Sequence, residues 1–267
     1  MERIALEREV TLRGLRFHYR EWPRDPAPTL VLLHGVTSQS GAWQDLAERL
    51  AAFRVLALDQ RGHGLSDRAD DYSLDALMDD LVAFVERLDV RRFALGGHSL
   101  GARVAYLYAA REDARVERLI LSDVGPDRVA PPRLPPRLDF ADPDDALAVV
   151  RAFRSDQPEP LARRLLSENL VRRDDGRWTF RFDPSVVTNR APFDPKAHWR
   201  ALGRIRCPTL ILRGERSAVL SRESAQRMGQ VIPRAAVVEV ADADHGLWYQ
   251  QPESFGAAIV RFLSPAA

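Results

Sequence analysis

Apolar positions along the chain gather into short continuous runs, separated by stretches with helical spacing. Thr29–Leu33, 55–58, 93–95, 119–121, 208–212 and 237–240 are such runs, the pattern of strands buried on both faces of a parallel sheet. Between them, Trp43, Leu46, Ala47 and Leu50 keep a period near 3.6, as do Leu74, Leu77, Leu81, Val82, Val85 and Leu88 behind a capping Ser73. A further helix is predicted over 221–231, and a last one opens at Pro252 with Phe255, Ile259 and Phe262 on one side. At the start, Val10, Leu12, Leu15, Phe17 and Tyr19 alternate about Arg13-Gly14, which predicts a hairpin. Regular alternation of strand and helix predicts an α/β fold, a mostly parallel doubly wound sheet wrapped by helices.

From Pro126 to about Arg200 the texture changes. Buried runs disappear, and prolines and charged helical stretches such as 161–171 replace them. The expected organisation is a core of residues 1–125 and 201–267 with an inserted helical cap, or lid, over 126–200.

In open parallel sheets, ligands bind beyond the carboxyl ends of the strands. His34-Gly35, Asp59, Ser99, Asp123, Gly214 and the loop before His245 all end predicted strands, so they share one rim. Gly97-His98-Ser99-Leu100-Gly101 lies between a strand and a helix, with glycines on both sides of the serine. A serine at such a sharp turn projects its hydroxyl free of the sheet, which makes Ser99 the candidate nucleophile; read alone, the same motif also fits a helix N-cap. A serine hydroxyl needs a base to take its proton as it attacks, and His245, late in the chain before Gly246, is the candidate. The oxyanion formed on attack needs backbone donors. Leu100 N–H follows the nucleophile, and Val36 N–H follows Gly35, whose missing side chain lets that loop approach. His34 is expected to hydrogen-bond on the oxyanion side rather than to carry a proton.

Taken in order, His34-Gly35, Asp59-x-Arg61-Gly62-x-Gly64-x-Ser66, the 97–101 turn and Asp244-His245-Gly246 resemble the α/β-hydrolase fold superfamily, in its capped esterase and lactonase-like branch, over nearly the whole chain. The resemblance implies that the Asp59 to Ser66 loop is architectural. It also implies a carboxylate three or four residues past Gly214 to orient the histidine, and there the sequence departs, because Ser217 and Ala218 hold those positions. Similar superfamily members place the acid at the end of the strand after the nucleophile helix, which here is Asp123. Glu215 is the alternative, and a third reading is that the acid is missing. Loss of the acid can lower the rate by about 10⁴.

Composition narrows the partners. With 39 basic and 38 acidic residues the formal charge is +1, which offers no field for nucleic acid or an anionic membrane. The single cysteine, Cys207, is expected to be buried and inert, and the six histidines have no partners at metal-ligand spacing. The first nine residues alternate charge without an apolar stretch, so neither a signal peptide nor an anchor is expected, and a cytoplasmic location follows. No cofactor is expected. Gly35 and His34 on the rim, Trp178 and Phe193 from the inserted segment, and Trp248 beside the base are the candidate substrate contacts. Arg103 and Arg190 are cations suited to a substrate carboxylate, though surface solvation is the plainer expectation for both. The leading reading is a serine hydrolase cleaving esters of small to medium, partly apolar substrates. A C–C bond hydrolase or lactonase using the same residues, and a weakly catalytic ligand binder, are the alternatives.

Overall fold

The computed structural model describes residues 3–112, 114–127, 134–153, 157–188 and 193–264. The strands are β1 (Leu6–Leu12), β2 (Leu15–Trp22), β3 (Thr29–Leu33), β4 (Arg54–Leu58), β5 (Phe93–His98), β6 (Val116–Ser122), β7 (Asp139–Phe140), β8 (Leu170–Arg172), β9 (Trp178–Phe180), β10 (Thr209–Gly214) and β11 (Ala235–Val240). Eight of them form one sheet in the order β1-β2-β4-β3-β5-β6-β10-β11. The pairs from β4 to β11 are parallel, and the β1–β2 hairpin adds to β4 antiparallel.

Side-chain alternation along the buried strands builds two cores. Val31, Leu33, Leu56, Leu58, Leu95, Leu119, Leu121 and Ile211 point to one face, where α2 (Leu74–Arg87), α3 (Leu100–Arg111) and α8 (Arg222–Val231) cover them. Leu30, Leu32, Val55, Ala57, Ala94, Ile120, Leu210 and Leu212 point to the other, under α1 (Gln44–Arg49) and the helix Pro252–Leu263. Both strand faces are therefore dry, which is why these strands read as unbroken apolar runs. The chain runs from β3 outward to β4 and then returns to the far side of β3 as β5. Connections after β3 and β5 thus diverge to opposite faces, leaving a crevice at their carboxyl ends.

Between β6 and β10 lie α4 (Pro143–Phe153), α5 (Glu159–Asn169), α6 (Ser185–Thr188) and α7 (Pro195–Leu202). The sequence pattern predicts no strands here, and the structure corrects it: β7, β9 and β8 make a small antiparallel sheet. Strands of two or three residues are too short to display an alternation. Phe140, Leu147, Leu166, Leu170, Phe180 and Phe182 pack with Tyr72 into a separate apolar cluster. Several polar ties join this segment to the loops of the large sheet. Arg164 makes a two-pronged ion pair with Asp45 at 2.8 and 3.1 Å, Asn169 donates to Thr37 O, and Tyr72 donates to Asp183 at 2.8 Å.

The Asp59 to Ser66 loop is held by buried charge. Asp59 accepts from Ser40 N at 2.6 Å and from His18 Nδ1 at 2.7 Å, while His18 Nε2 faces Glu7 at 2.5 Å. Burial alone would lower the His18 pKa, but the two carboxylates outweigh it and hold the imidazole above its ordinary value. Arg61 spans Asp80 of α2 through Nε and Nη2 at 2.5 and 2.7 Å, with both side chains buried. Asp80→Asn would leave this guanidinium buried against a neutral amide. We expect it to lower unfolding free energy by about 3–5 kcal/mol in urea denaturation; an unchanged midpoint would contradict the role given to the pair.

Candidate active site

The turn at Ser99 is made by close backbone contact. A Cβ on Gly101 would lie 2.3 Å from Leu33 O, and one on Gly97 would lie 2.4 Å from the Gly101 carbonyl carbon, so only glycine lets α3 start this close to β3 and β5. Gly101 N–H donates to His34 O at 3.1 Å and Ser99 N–H to Ser122 O at 3.0 Å. Ser99 is left with φ 53° and ψ −114°, and its side chain makes no capping bond to α3. A non-glycine residue at positive φ is strained, and here the strain turns Oγ out of the sheet. The helix-cap reading of the motif does not describe this serine.

Ser99 Oγ lies 3.0 Å from His245 Nε2, and His245 Nδ1 lies 2.8 Å from Asp123 Oδ2. An ionised carboxylate only accepts, so Nδ1 carries the proton and Nε2 is free to accept from the serine hydroxyl. Asp123 follows β6 at φ 48° and is completely buried. Its Oδ1 accepts from Gly214 N at 3.1 Å and its Oδ2 from Ser217 Oγ at 2.5 Å. Ser217 in turn accepts from Val219 N and Leu220 N at 3.0 and 3.1 Å. The residue at the empty acid position therefore grips the carboxylate that reaches the imidazole from the neighbouring strand end. Sequence reasoning misses this role, although the coincidence of Ser217 with that position is the available signal.

His98 is a second omission. Its Nε2–H donates to His245 O at 2.8 Å, and the two rings lie 4.6 Å apart, so the turn itself holds the histidine loop. Glu215 points elsewhere, accepting from Asp242 N at 2.9 Å on the surface. Asp244 closes its own turn by accepting from Gly246 N at 2.7 Å.

Ser99 and His245 open on a cavity of about 1320 Å³ whose lining includes Gly35, Val36, Leu100, Phe193 and Trp248. Among the described residues no group accepts a hydrogen bond from the backbone N–H of Val36 or Leu100. Two expected contacts are corrected. His34 is buried away from the cavity, donating from Nδ1 to Gly35 O at 2.7 Å and accepting at Nε2 from Gln60 N at 3.1 Å. Its desolvated imidazole is held below the ordinary pKa, and its apolar-strand neighbours explain why it packs inward. Trp178 is absent from the lining because β9 turns it against the cluster of Phe140 and Phe180. Arg103 is not solvated at the surface; it is half-buried on the cavity wall. Arg190 lies outside the described residues. No described helix is long and apolar enough to cross a membrane, and no group of three metal-ligating side chains occurs among the described residues.

The sequence pattern of the alpha/beta hydrolase family matches residues 30–258. The chain belongs to this family. As an α/β hydrolase it is 30% identical over 261 residues to the N-formylmaleamate deformylase of Pseudomonas putida, covering 95% of each chain. It is 28% identical over 266 residues to the 2-(acetamidomethylene)succinate hydrolase of Mesorhizobium japonicum, covering 97% of this chain and 95% of the relative. A crystal structure of E-2-(acetamidomethylene)succinate hydrolase matches with a TM-score of 0.84 at 25% identity, over 97% of this chain and 99% of the other. The protein is an enzyme.

Ser217→Ala removes a buried hydrogen bond to a carboxylate, a loss of about 1.5–3 kcal/mol. Denaturant titration is expected to show a destabilisation of that order, and Ser217→Thr, which keeps the hydroxyl, should recover part of it.

Proposed function

We propose that this α/β hydrolase cleaves carboxylic esters of small to medium, partly apolar substrates through an acyl intermediate on Ser99. The observation that carries the reading is the continuous relay from Ser99 Oγ through His245 to Asp123, at 3.0 and 2.8 Å, opening on a large cavity. Ser99 Oγ attacks the ester carbonyl carbon while His245 Nε2 takes its proton. Asp123 holds the imidazole in the tautomer that accepts at Nε2 and stabilises the imidazolium that forms. The backbone N–H groups of Val36 and Leu100 donate to the developing oxyanion. Collapse breaks the bond to the alkoxy oxygen, which leaves with the proton from Nε2. Water then attacks the acyl group by the same route and restores Ser99.

The segment between β6 and β10 serves as a cap over the strand ends, tied down by Arg164–Asp45 and Tyr72–Asp183. Its Phe193 and the loop's Trp248 line the cavity and supply apolar contact to the substrate. A volume of about 1320 Å³ exceeds the roughly 300–1,000 Å³ of ordinary small-molecule pockets, which supports substrates longer than acetate esters. A second reading keeps every residue and changes the leaving group to nitrogen. Its support is the 30% identity to a deformylase.

A fluorophosphonate probe should label the protein at Ser99 and fail on Ser99→Ala, and p-nitrophenyl butyrate turnover should fall by at least about 10³ in that variant. Undiminished turnover in Ser99→Ala would sink the mechanism. Asp123→Asn is expected to lower kcat by up to about 10⁴, whereas Glu215→Gln should leave it within about twofold, since surface changes away from such sites have little effect. A panel of esters, lactones and N-acyl amides of matched acyl length separates the two leaving groups.

A further inference from the structure

Arg103 lies one helical turn beyond Ser99, about 6 Å along the axis of α3, and lines the same cavity; its backbone N–H donates to Ser99 O at 3.0 Å. Four described arginines line the cavity, Arg103, Arg111, Arg204 and Arg216. The other three are exposed, and Arg111 and Arg216 are paired with acids. Arg103 alone is sheltered. Its guanidinium donates to Gly125 O at 2.9 Å and lies 4.3 Å from the centre of the Phe193 ring. It has no carboxylate within ion-pair distance among the described residues. Asp127, whose charge reaches it, is already engaged by Trp199 Nε1 at 3.0 Å and Ser224 Oγ at 2.5 Å. One carbonyl and one ring face leave a five-donor fork largely unfilled.

A second donor adjoins it. Phe193 stacks at 4.3 Å on His198, another residue of the cavity wall. His198 Nδ1 faces Tyr106 Oη at 2.6 Å. Burial, aided by the charge of Arg103, lowers the His198 pKa to about 4, so the imidazole is neutral at ordinary pH. A neutral ring that accepts the Tyr106 proton at Nδ1 carries its own proton on Nε2, where it can only donate. Arg103 and His198 both contact the ring of Phe193 on the wall of the cavity that Ser99 opens on. Burial also disfavours the charge on Arg103, and an incoming anion would offset that cost.

We propose that Arg103, with His198 beside it, forms a carboxylate-binding subsite, and that the preferred substrates carry an anionic carboxylate on the arm that extends from the scissile carbonyl along α3. The proposal rests on Ser99 marking the reacting end of the cavity. The subsite selects by charge what the aromatic lining accepts by shape. A neutral ester of equal length leaves the guanidinium desolvated and unmatched, and so binds more weakly.

Calorimetric titration of adipate and of 1,6-hexanediol into Ser99→Ala protein tests this without turnover, so the result is independent of whether Ser99 is the nucleophile. Adipate should bind at least about tenfold more tightly than the diol, as a hydrogen-bonded charge pair implies. Adding Arg103→Gln should erase most of that preference, and Arg103→Lys should retain part of it. Equal binding of diacid and diol, or a preference that survives Arg103→Gln, overturns the proposal. Should Arg103→Gln not fold, the diacid-to-diol contrast in the parent and its reduction in Arg103→Lys decide the matter. In the active enzyme, kcat/KM for monoesters of succinate through adipate should exceed that for neutral esters of equal length, chiefly through KM.

Discussion

Gly101 lets the first turn of α3 rest against the carbonyl oxygens of Leu33 and His34, and much of the site geometry follows from that contact. It brings the start of the helix between β3 and β5, fixes Ser99 at positive φ, and leaves Leu100 on the wall of the same cavity as Val36 from the adjoining loop. The strain at Ser99 is small beside the apolar burial of β3, β5 and α3 around it, so the core holds the turn in a conformation the turn would not keep by itself. Any side chain at Gly101 would push the helix outward and carry the serine away from the histidine loop.

The same dependence on neighbouring backbone governs charge. Among the described residues no arginine or lysine is paired with the buried Asp123, and its carboxyl oxygens are met by three donors: Gly214 N–H, Ser217 O–H and His245 Nδ1–H. Each comes from the end of β10 or the loop after β11, so the acid is satisfied only when those strands are in register with β6. The Asp59 and Arg61 contacts do the corresponding work on the other side of the crevice, where buried ion pairs lock the loop after β4.

Buried parallel strands were legible because both faces are apolar, and the serine turn and late histidine were legible because glycines mark them. Harder to see was which strand ends become neighbours. The resemblance puts Asp123 ahead of Glu215, but the physical reason lies in the fold: the pairing of β6 with β10 brings the first against His245 Nδ1 while the turn after Gly214 sends the second to the surface. His34 and Trp178 misled for a related reason: the first ends a strand at the rim and the second belongs to the inserted segment, but a hydrogen bond to the adjacent backbone turns one inward and a short strand turns the other aside. The strands β7 to β9 left no periodic trace because two or three residues cannot show one. Ser217 carried a signal only by standing where a carboxylate was looked for.

Ser217 and His245 meet on the same oxygen of Asp123. Two neighbouring strand ends therefore have access to a single point beside the imidazole, one occupied by the anion and the other by a hydroxyl that touches it. Such an arrangement gives an evolving lineage a path for relocating its acid. With Ser99, His245 and Asp123 in the roles proposed above, a carboxylate arising at position 217 would meet Asp123 at the same point, like-charge repulsion would leave one of the two neutral, and either could serve as the negative neighbour of the imidazole. The acid's address in the chain is thus a matter of history, whereas its address in space is set by the ring it must hold.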